Sequence, residues 1–152
     1  MILPMTLTMA AASTLINIWL GMRVGQMRAA HKCSIGDGGH QPLIARMRAQ
    51  ANFVEYAPFF LILLLLIELA KGQPLWLWAV ASLFILIRIV HAFGMDRPPG
   101  NRLRMIGAMG TGLVLVVLTV YAIVIVYQDR MERMRPTAHM TIASLSQARA
   151  ST

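Results

Sequence analysis

The sequence predicts an all-α protein, a four-helix bundle integral to a membrane, and two observations carry that prediction. Four stretches of the 152-residue chain are long and apolar enough to cross a bilayer, which takes about 20 apolar residues per helix. Composition agrees: 57% of the residues are hydrophobic and only 13% charged, about half the charged share of an ordinary soluble domain, and the mean hydropathy is +0.62. Fourteen Lys and Arg against six Asp and Glu give a net charge of +8. A nucleic-acid binder with that charge would need a soluble, charged surface, so nucleic acid is excluded as a partner and membrane lipid is expected. No polar segment is long enough to fold as a catalytic ectodomain.

The first span is expected over about residues 2–21, with helix continuing through Met22–Ala30. No basic residue precedes it, and Arg23 and Arg28 follow it, so it reads as a retained helix and not as a cleaved signal. Gly36, Asp37, Gly38 and Gly39 mark a turn. The second span is expected over about 42–70, opening at Pro42 and apolar from Ala57 to Ile67. Lys71-Gly72-Gln73-Pro74 closes it, because Gly and Pro together end one helix and start the next. The third span is expected over about 75–93; Asp96 to Asn101, with Pro98, Pro99 and Gly100, breaks the chain again, and the fourth span follows over about 102–127. Residues 1–128 then form the membrane domain and 129–152 a polar C-terminal tail carrying Arg130, Arg133, Arg135 and Arg149. Gly21 with Gly25, Gly107 with Thr111, and Ala108 with Gly112 recur at a spacing that lets helix backbones approach closely in lipid.

Basic residues set the orientation. The first loop and its flanks hold Arg23, Arg28, Lys32, Arg46 and Arg48, the third holds Arg88, Arg97, Arg102 and Arg104, and the second holds Lys71 alone. Loops one and three share a side, which the positive-inside rule makes cytoplasmic. Both termini then face away from the cytoplasm.

Several polar residues stand where hydrocarbon should exclude them. Arg48, Asn52, Glu55 and Tyr56 fall at i, i+4, i+7 and i+8, on one face of the second helix. A charge at membrane depth costs roughly 2.5–3.5 kcal/mol, so such a face normally lines a bundle interior or a wet cavity. The alternative, with Arg48 and Glu55 reaching out to the headgroups, stays open on sequence alone. Arg88 and His91 share a face at the end of the third span, and Arg97, Arg102 and Arg104 follow at the start of the fourth. Guanidinium groups in one layer with a carboxylate, an amide and a phenol suit an anionic ligand with peptide-like acceptors. Lipid phosphate is the competing ligand for these arginines.

Other chemistry is not indicated. His31, Cys33, Asp37 and His40 match no zinc spacing, so no metal is expected, and Gly36-Asp37-Gly38-Gly39 lacks the Lys and Ser/Thr of a phosphate loop. The lone Cys33 cannot form an intramolecular disulfide and reads as an ordinary thiol. No role is assigned to Glu68.

At the polar layer the sequence resembles the MAPEG family, the membrane-associated proteins of eicosanoid and glutathione metabolism. Arg48-Ala49-Gln50-Ala51-Asn52-Phe53-Val54-Glu55-Tyr56-Ala57-Pro58 is similar to the family's second-helix signature, and Arg88 with His91, followed by Arg102-Leu103-Arg104, to its third-to-fourth helix segment. The Gly-Asp-Gly-Gly loop is similar to the short bacterial branch. The likeness covers roughly residues 5–128. It implies a homotrimer of four-helix subunits in a bacterial inner membrane, with glutathione bound as co-substrate between subunits near the cytoplasmic side. By the same resemblance Arg104 would stabilise the glutathione thiolate, Arg48, Gln50, Asn52, Glu55 and Tyr56 would hold the tripeptide, and Arg88 would belong to the same basic pocket. Met105-Ile106-Gly107-Ala108 follows Arg104 where some eicosanoid-forming members carry Ser or Tyr, which argues against prostaglandin-isomerase chemistry.

The expected function is a glutathione-dependent transferase or peroxidase acting on hydrophobic small molecules dissolved in the membrane. The alternative is a non-enzymatic lipid-binding or scaffold protein of the same architecture. For the topology, an impermeant thiol reagent is expected to label Cys33 in broken cells and not in intact ones. Strong labelling in intact cells reverses the orientation.

Overall fold

The computed structural model describes residues 2–134, which form four helices: α1 (Pro4–Ala30), α2 (Gln41–Lys71), α3 (Leu75–Met95) and α4 (Arg102–Met134). Each is long and apolar enough to cross a membrane. At about 1.5 Å per residue, even α3 with its 21 residues matches the thickness of a hydrocarbon core. The all-α four-helix bundle expected from the sequence is the fold observed. Most of the polar tail, with Arg135 and Arg149, lies outside the described residues. The chain divides into two units, Met1–Leu118 and a second from Thr119 onward. Within the second, α4 runs past Tyr127 to Met134, and Arg133 pairs with Asp129 at 2.9 Å, one turn apart.

In the first unit each helix buries a single stripe at helical spacing. On α2 that stripe is Ala49, Phe53, Ala57, Phe60, Leu64 and Ile67; on α1 it includes Met5, Met9, Ile16 and Leu20. Phe60 of α2 and Phe84 of α3 are fully buried and stack with centroids 3.8 Å apart. Leu7, Leu15, Phe59, Ile62 and Leu86, on the opposite faces, are more than half exposed, as side chains turned toward lipid would be. Up to Leu118, α4 buries only Gly107, Thr111, Val114 and Leu118. That strip begins at the small pair Gly107–Thr111. A Cβ on Gly107 would overlap His91, and one on Gly110 would lie 2.8 Å from Ile87 Cδ1, whereas Gly25 and Gly112 approach nothing within 4 Å. The close α3–α4 approach therefore uses Gly107, Thr111 and Gly110, and the Ala108–Gly112 pair stands off it.

The far end of the bundle is closed by Glu68. Its carboxylate accepts from the backbone N–H of Met5 at 3.1 Å and of Thr6 at 2.7 Å, and from Thr6 Oγ1 at 2.7 Å. The first amides of a helix have no partner within it, and Leu3 at the N-cap of α1 supplies no side-chain bond. Glu68, only 3% exposed, is thus an N-cap delivered from another helix. This is the role that the sequence left unassigned. Glu68→Ala is expected to lower stability by about 1–3 kcal/mol and Thr6→Ala by about 1 kcal/mol, read as thermal unfolding in detergent. An unchanged melting temperature in Glu68→Ala would show that the cap contributes nothing.

Candidate functional site

At the opposite end of the first unit, Asp96 joins three helices. It follows α3 directly, and its carboxylate pairs with Arg23 of α1 and with Arg46 of α2, the latter at 3.4 Å. Arg46 Nη1 also donates to the Arg23 carbonyl at 3.1 Å. Arg23 is buried, with its guanidinium 4.7 Å from the Trp19 ring centroid, an arrangement in which a cation is stabilised by the aromatic face. On the sequence alone Arg23 and Arg46 are loop-flank charges and Asp96 is a turn residue. The available signal was that Asp96 is the lone carboxylate in a loop rich in arginine.

Two cavities open beside this junction. The larger, about 550 Å³, is lined by Arg46, Arg48, Asp96, Arg97 and Arg104 together with apolar and proline residues. The smaller, about 170 Å³, is lined by Arg48, Asn52, Glu55, His91 and Arg104, with Ala51, Met95 and Ala108. Arg48, Met95 and Arg104 line both, so the two spaces adjoin at these three residues. Among the described residues the ion pairs are Arg23–Asp96, Arg46–Asp96 and Arg133–Asp129. Arg48, Arg97 and Arg104 are in none of them, which leaves a surplus of cationic donors around the cavities.

The polar face of α2 is split between lining and support. Arg48, Asn52 and Glu55 line the smaller cavity, while Tyr56 lies on the outer surface, 39% exposed, and lines neither space. Gln50 turns toward α1, with Nε2 3.3 Å from the position of a Cβ on Gly21. Arg88 is 2% exposed and also lines neither cavity. Its Nη1 donates to Asn52 Oδ1 at 2.9 Å and to Thr111 Oγ1 at 3.2 Å, and its guanidinium lies 5.5 Å from the Phe53 ring centroid. Arg88 therefore holds Asn52 from behind, across three helices, because Thr111 belongs to α4. His91, also buried, places Nδ1 3.4 Å from the Arg104 carbonyl oxygen.

In the first loop, Arg28 Nη1 donates to the Gly36 carbonyl at 2.8 Å, and His31 stacks on His40 with centroids 4.1 Å apart. Among the described residues, no three His, Cys, Asp or Glu side chains are placed to hold a metal.

A comparison with protein families matches residues 6–124 to the MAPEG family. The chain belongs to the MAPEG family. The match spans all four helices, and it agrees with the likeness read from Arg48–Pro58 and Arg88–Arg104. This MAPEG protein is also similar to the inner membrane protein YecN of Escherichia coli strain K12, 29% identical over 86 residues that cover 56% of this chain and 65% of that one. The protein of the same name in Escherichia coli O6:H1 strain CFT073 gives the same figures. The alignment thus spans just under two thirds of the length of these relatives.

The buried hydrogen bonds of Arg88 give a direct test of the packing behind the site. Thr111→Val keeps the shape and removes the acceptor, leaving a buried guanidinium with one partner fewer. A loss of about 1–3 kcal/mol is expected, with Thr111→Ser retaining most of the stability, both read by thermal unfolding in detergent. Equal melting temperatures for the Val variant and the parent would exclude a stabilising Arg88–Thr111 bond.

Proposed function

We propose that this protein is a glutathione-dependent membrane transferase or peroxidase acting on hydrophobic electrophiles. The observation that carries the reading is the placement of Arg48 and Arg104, outside every ion pair of the described residues, on the walls of both adjoining cavities. Unpaired guanidinium groups present planar donors to carboxylates. A tripeptide with two carboxylates and a thiolate matches that surplus of positive charge. Membership of the MAPEG family and the resemblance of the second-helix signature support glutathione as the co-substrate.

A free thiol has a pKa of roughly 8.5, and a neighbouring cation favours the thiolate, the reactive nucleophile. In this reading Arg104 is that cation, while Arg48, Asn52 and Glu55 hold the peptide. Arg88 acts through Asn52, while Tyr56 lies at the edge of the face and Gln50 on the opposite side of α2 against α1, neither lining a cavity. With an aryl halide, the thiolate electron pair forms the new carbon–sulfur bond and halide leaves. Substrates dissolved in the bilayer are concentrated beside the helices, so a polar layer at one end can act on apolar molecules. We place the protein in a bacterial inner membrane as a homotrimer, with the first and third loops cytoplasmic. Nine basic residues at those two loops against Lys71 support the orientation, and the inner-membrane relative supports the membrane.

The test uses purified protein with glutathione and either a chromogenic aryl halide or a lipid hydroperoxide. Turnover above protein-free detergent is expected, and turnover no faster than that background on both substrates would favour a non-enzymatic lipid-binding or scaffold role. Arg104→Ala is expected to lower kcat and to shift the thiolate absorbance of bound glutathione to higher pH. Arg48→Ala and Glu55→Ala should instead weaken glutathione binding. Arg104→Lys should rescue in part, because it supplies charge without the planar fork. A normal titration and normal turnover in Arg104→Ala would remove Arg104 from the chemistry.

A further inference from the structure

We propose that Asn101 is a positioning residue for the chemistry of Arg104, an inference that rests on the glutathione reading above. Its side chain makes three hydrogen bonds at the junction of α3 and α4. Oδ1 accepts from the Arg104 backbone N–H at 3.0 Å, and Nδ2 donates to the carbonyls of Gly94 at 2.8 Å and Pro98 at 2.9 Å. An Asn that only caps a helix is common at this position. Here the capped residue is the candidate thiolate-stabilising arginine itself, and the same amide grips the last turn of α3. One side chain therefore sets the distance between the end of α3 and the Arg104 backbone.

Two further contacts converge on the same residue. Gly94 brings the α3 backbone so close that a Cβ there would lie 2.5 Å from Arg104 N and 2.8 Å from its Cα. His91 Nδ1 sits 3.4 Å from the Arg104 carbonyl oxygen. The N–H, Cα and carbonyl of Arg104 are thus each located by a different group, while its side chain is exposed and in no ion pair. A fixed backbone sets the volume that the Arg104 guanidinium can reach, so that the free cation is delivered beside the cavities and settles when an anion binds. Pro98 and Pro99 restrict the rest of the turn, so Asn101 is the residue whose side chain closes it.

The experiment measures kcat, KM for glutathione, the thiolate absorbance of bound glutathione against pH and the melting temperature, all on the full-length protein in detergent. In Asn101→Ala the thiolate-to-thiol ratio at fixed pH should fall about tenfold, a shift of about one pH unit in the midpoint. kcat should fall on the order of tenfold, with KM for glutathione within about twofold of the parent. Asn101→Ser, which keeps a capping acceptor but loses the amide donors to Gly94 and Pro98, should restore much of the melting temperature while leaving most of the titration and kcat losses in place. Gly94→Ala, which displaces Arg104 with Asn101 intact, should reproduce the Asn101→Ala signature. A lower melting temperature in the Asn101 variants with parental titration and kcat overturns the proposal, as does a folded Gly94→Ala protein with both unchanged. Arg104→Ala measured alongside separates the two levels. An unchanged titration there overturns the role of Arg104, whereas a shifted titration there and a parental one in Asn101→Ala overturns the role of Asn101 alone.

Discussion

The Asp96 carboxylate is the interaction on which the cavity-bearing end of the first unit depends. It holds Arg23 of α1 and Arg46 of α2 against the end of α3, three helices meeting on one side chain. Removing a single negative charge from this junction would leave two guanidinium groups facing each other, one of them buried. Because the Asp96 side chain is about a third exposed, water would screen part of that repulsion, and the cost would fall below the roughly 3–5 kcal/mol typical of a fully buried pair. By occupying Arg23 and Arg46, Asp96 also determines which arginines remain available: Arg48, Arg97 and Arg104 stand around the cavities without a carboxylate of their own.

Hydrocarbon supplies no hydrogen bonds, so the polar groups of this bundle have to satisfy one another. Most do so in two separate places, while the buried Ser13 Oγ, Asn17 Oδ1 and Arg88 Nε have no hydrogen-bond partner among the described residues. One end carries Arg88 with Asn52 and Thr111, His91 against Arg104, and the Asp96 junction; the other carries Glu68 over the start of α1. Between them the packing is carried by Phe60, Phe84, Leu64 and their neighbours. The apolar centre fixes how the helices lie side by side, and the polar ends fix where each one stops. Gly107 and Gly94 connect the two levels, since the absence of a side chain at each lets α4 approach α3 closely enough to present Arg104.

Helix positions and the polar layer were legible because both depend on local pattern. Long apolar runs with Gly and Pro between them mark the spans, and the spacing of Arg48, Asn52 and Glu55 puts them on one face whatever the neighbours are. Periodicity assigns a residue to a face and does not say what that face meets. Tyr56, at the edge of that face, turns to the outer surface, Gln50 lies on the opposite side of α2 against α1, and Arg88 lies behind the site as support for Asn52. Asp96 and Asn101 were legible as turn residues but their partners were not, and Glu68 was not legible at all, for a related reason. Each works by reaching a residue outside its own helix or at the start of the next one, and such partners appear only once the chain has folded.

The placement of Glu68 bears on how the protein is assembled as it is made. The amides of Met5 and Thr6 are completed by a side chain 63 and 62 positions further along the chain. When α1 first emerges from the ribosome, the group that satisfies its leading end has not been synthesised. Those amides have to stay in the hydrated headgroup layer until α2 has crossed and returned Glu68 to the same surface. Completion of the first helix's hydrogen bonding is thereby tied to arrival of the second.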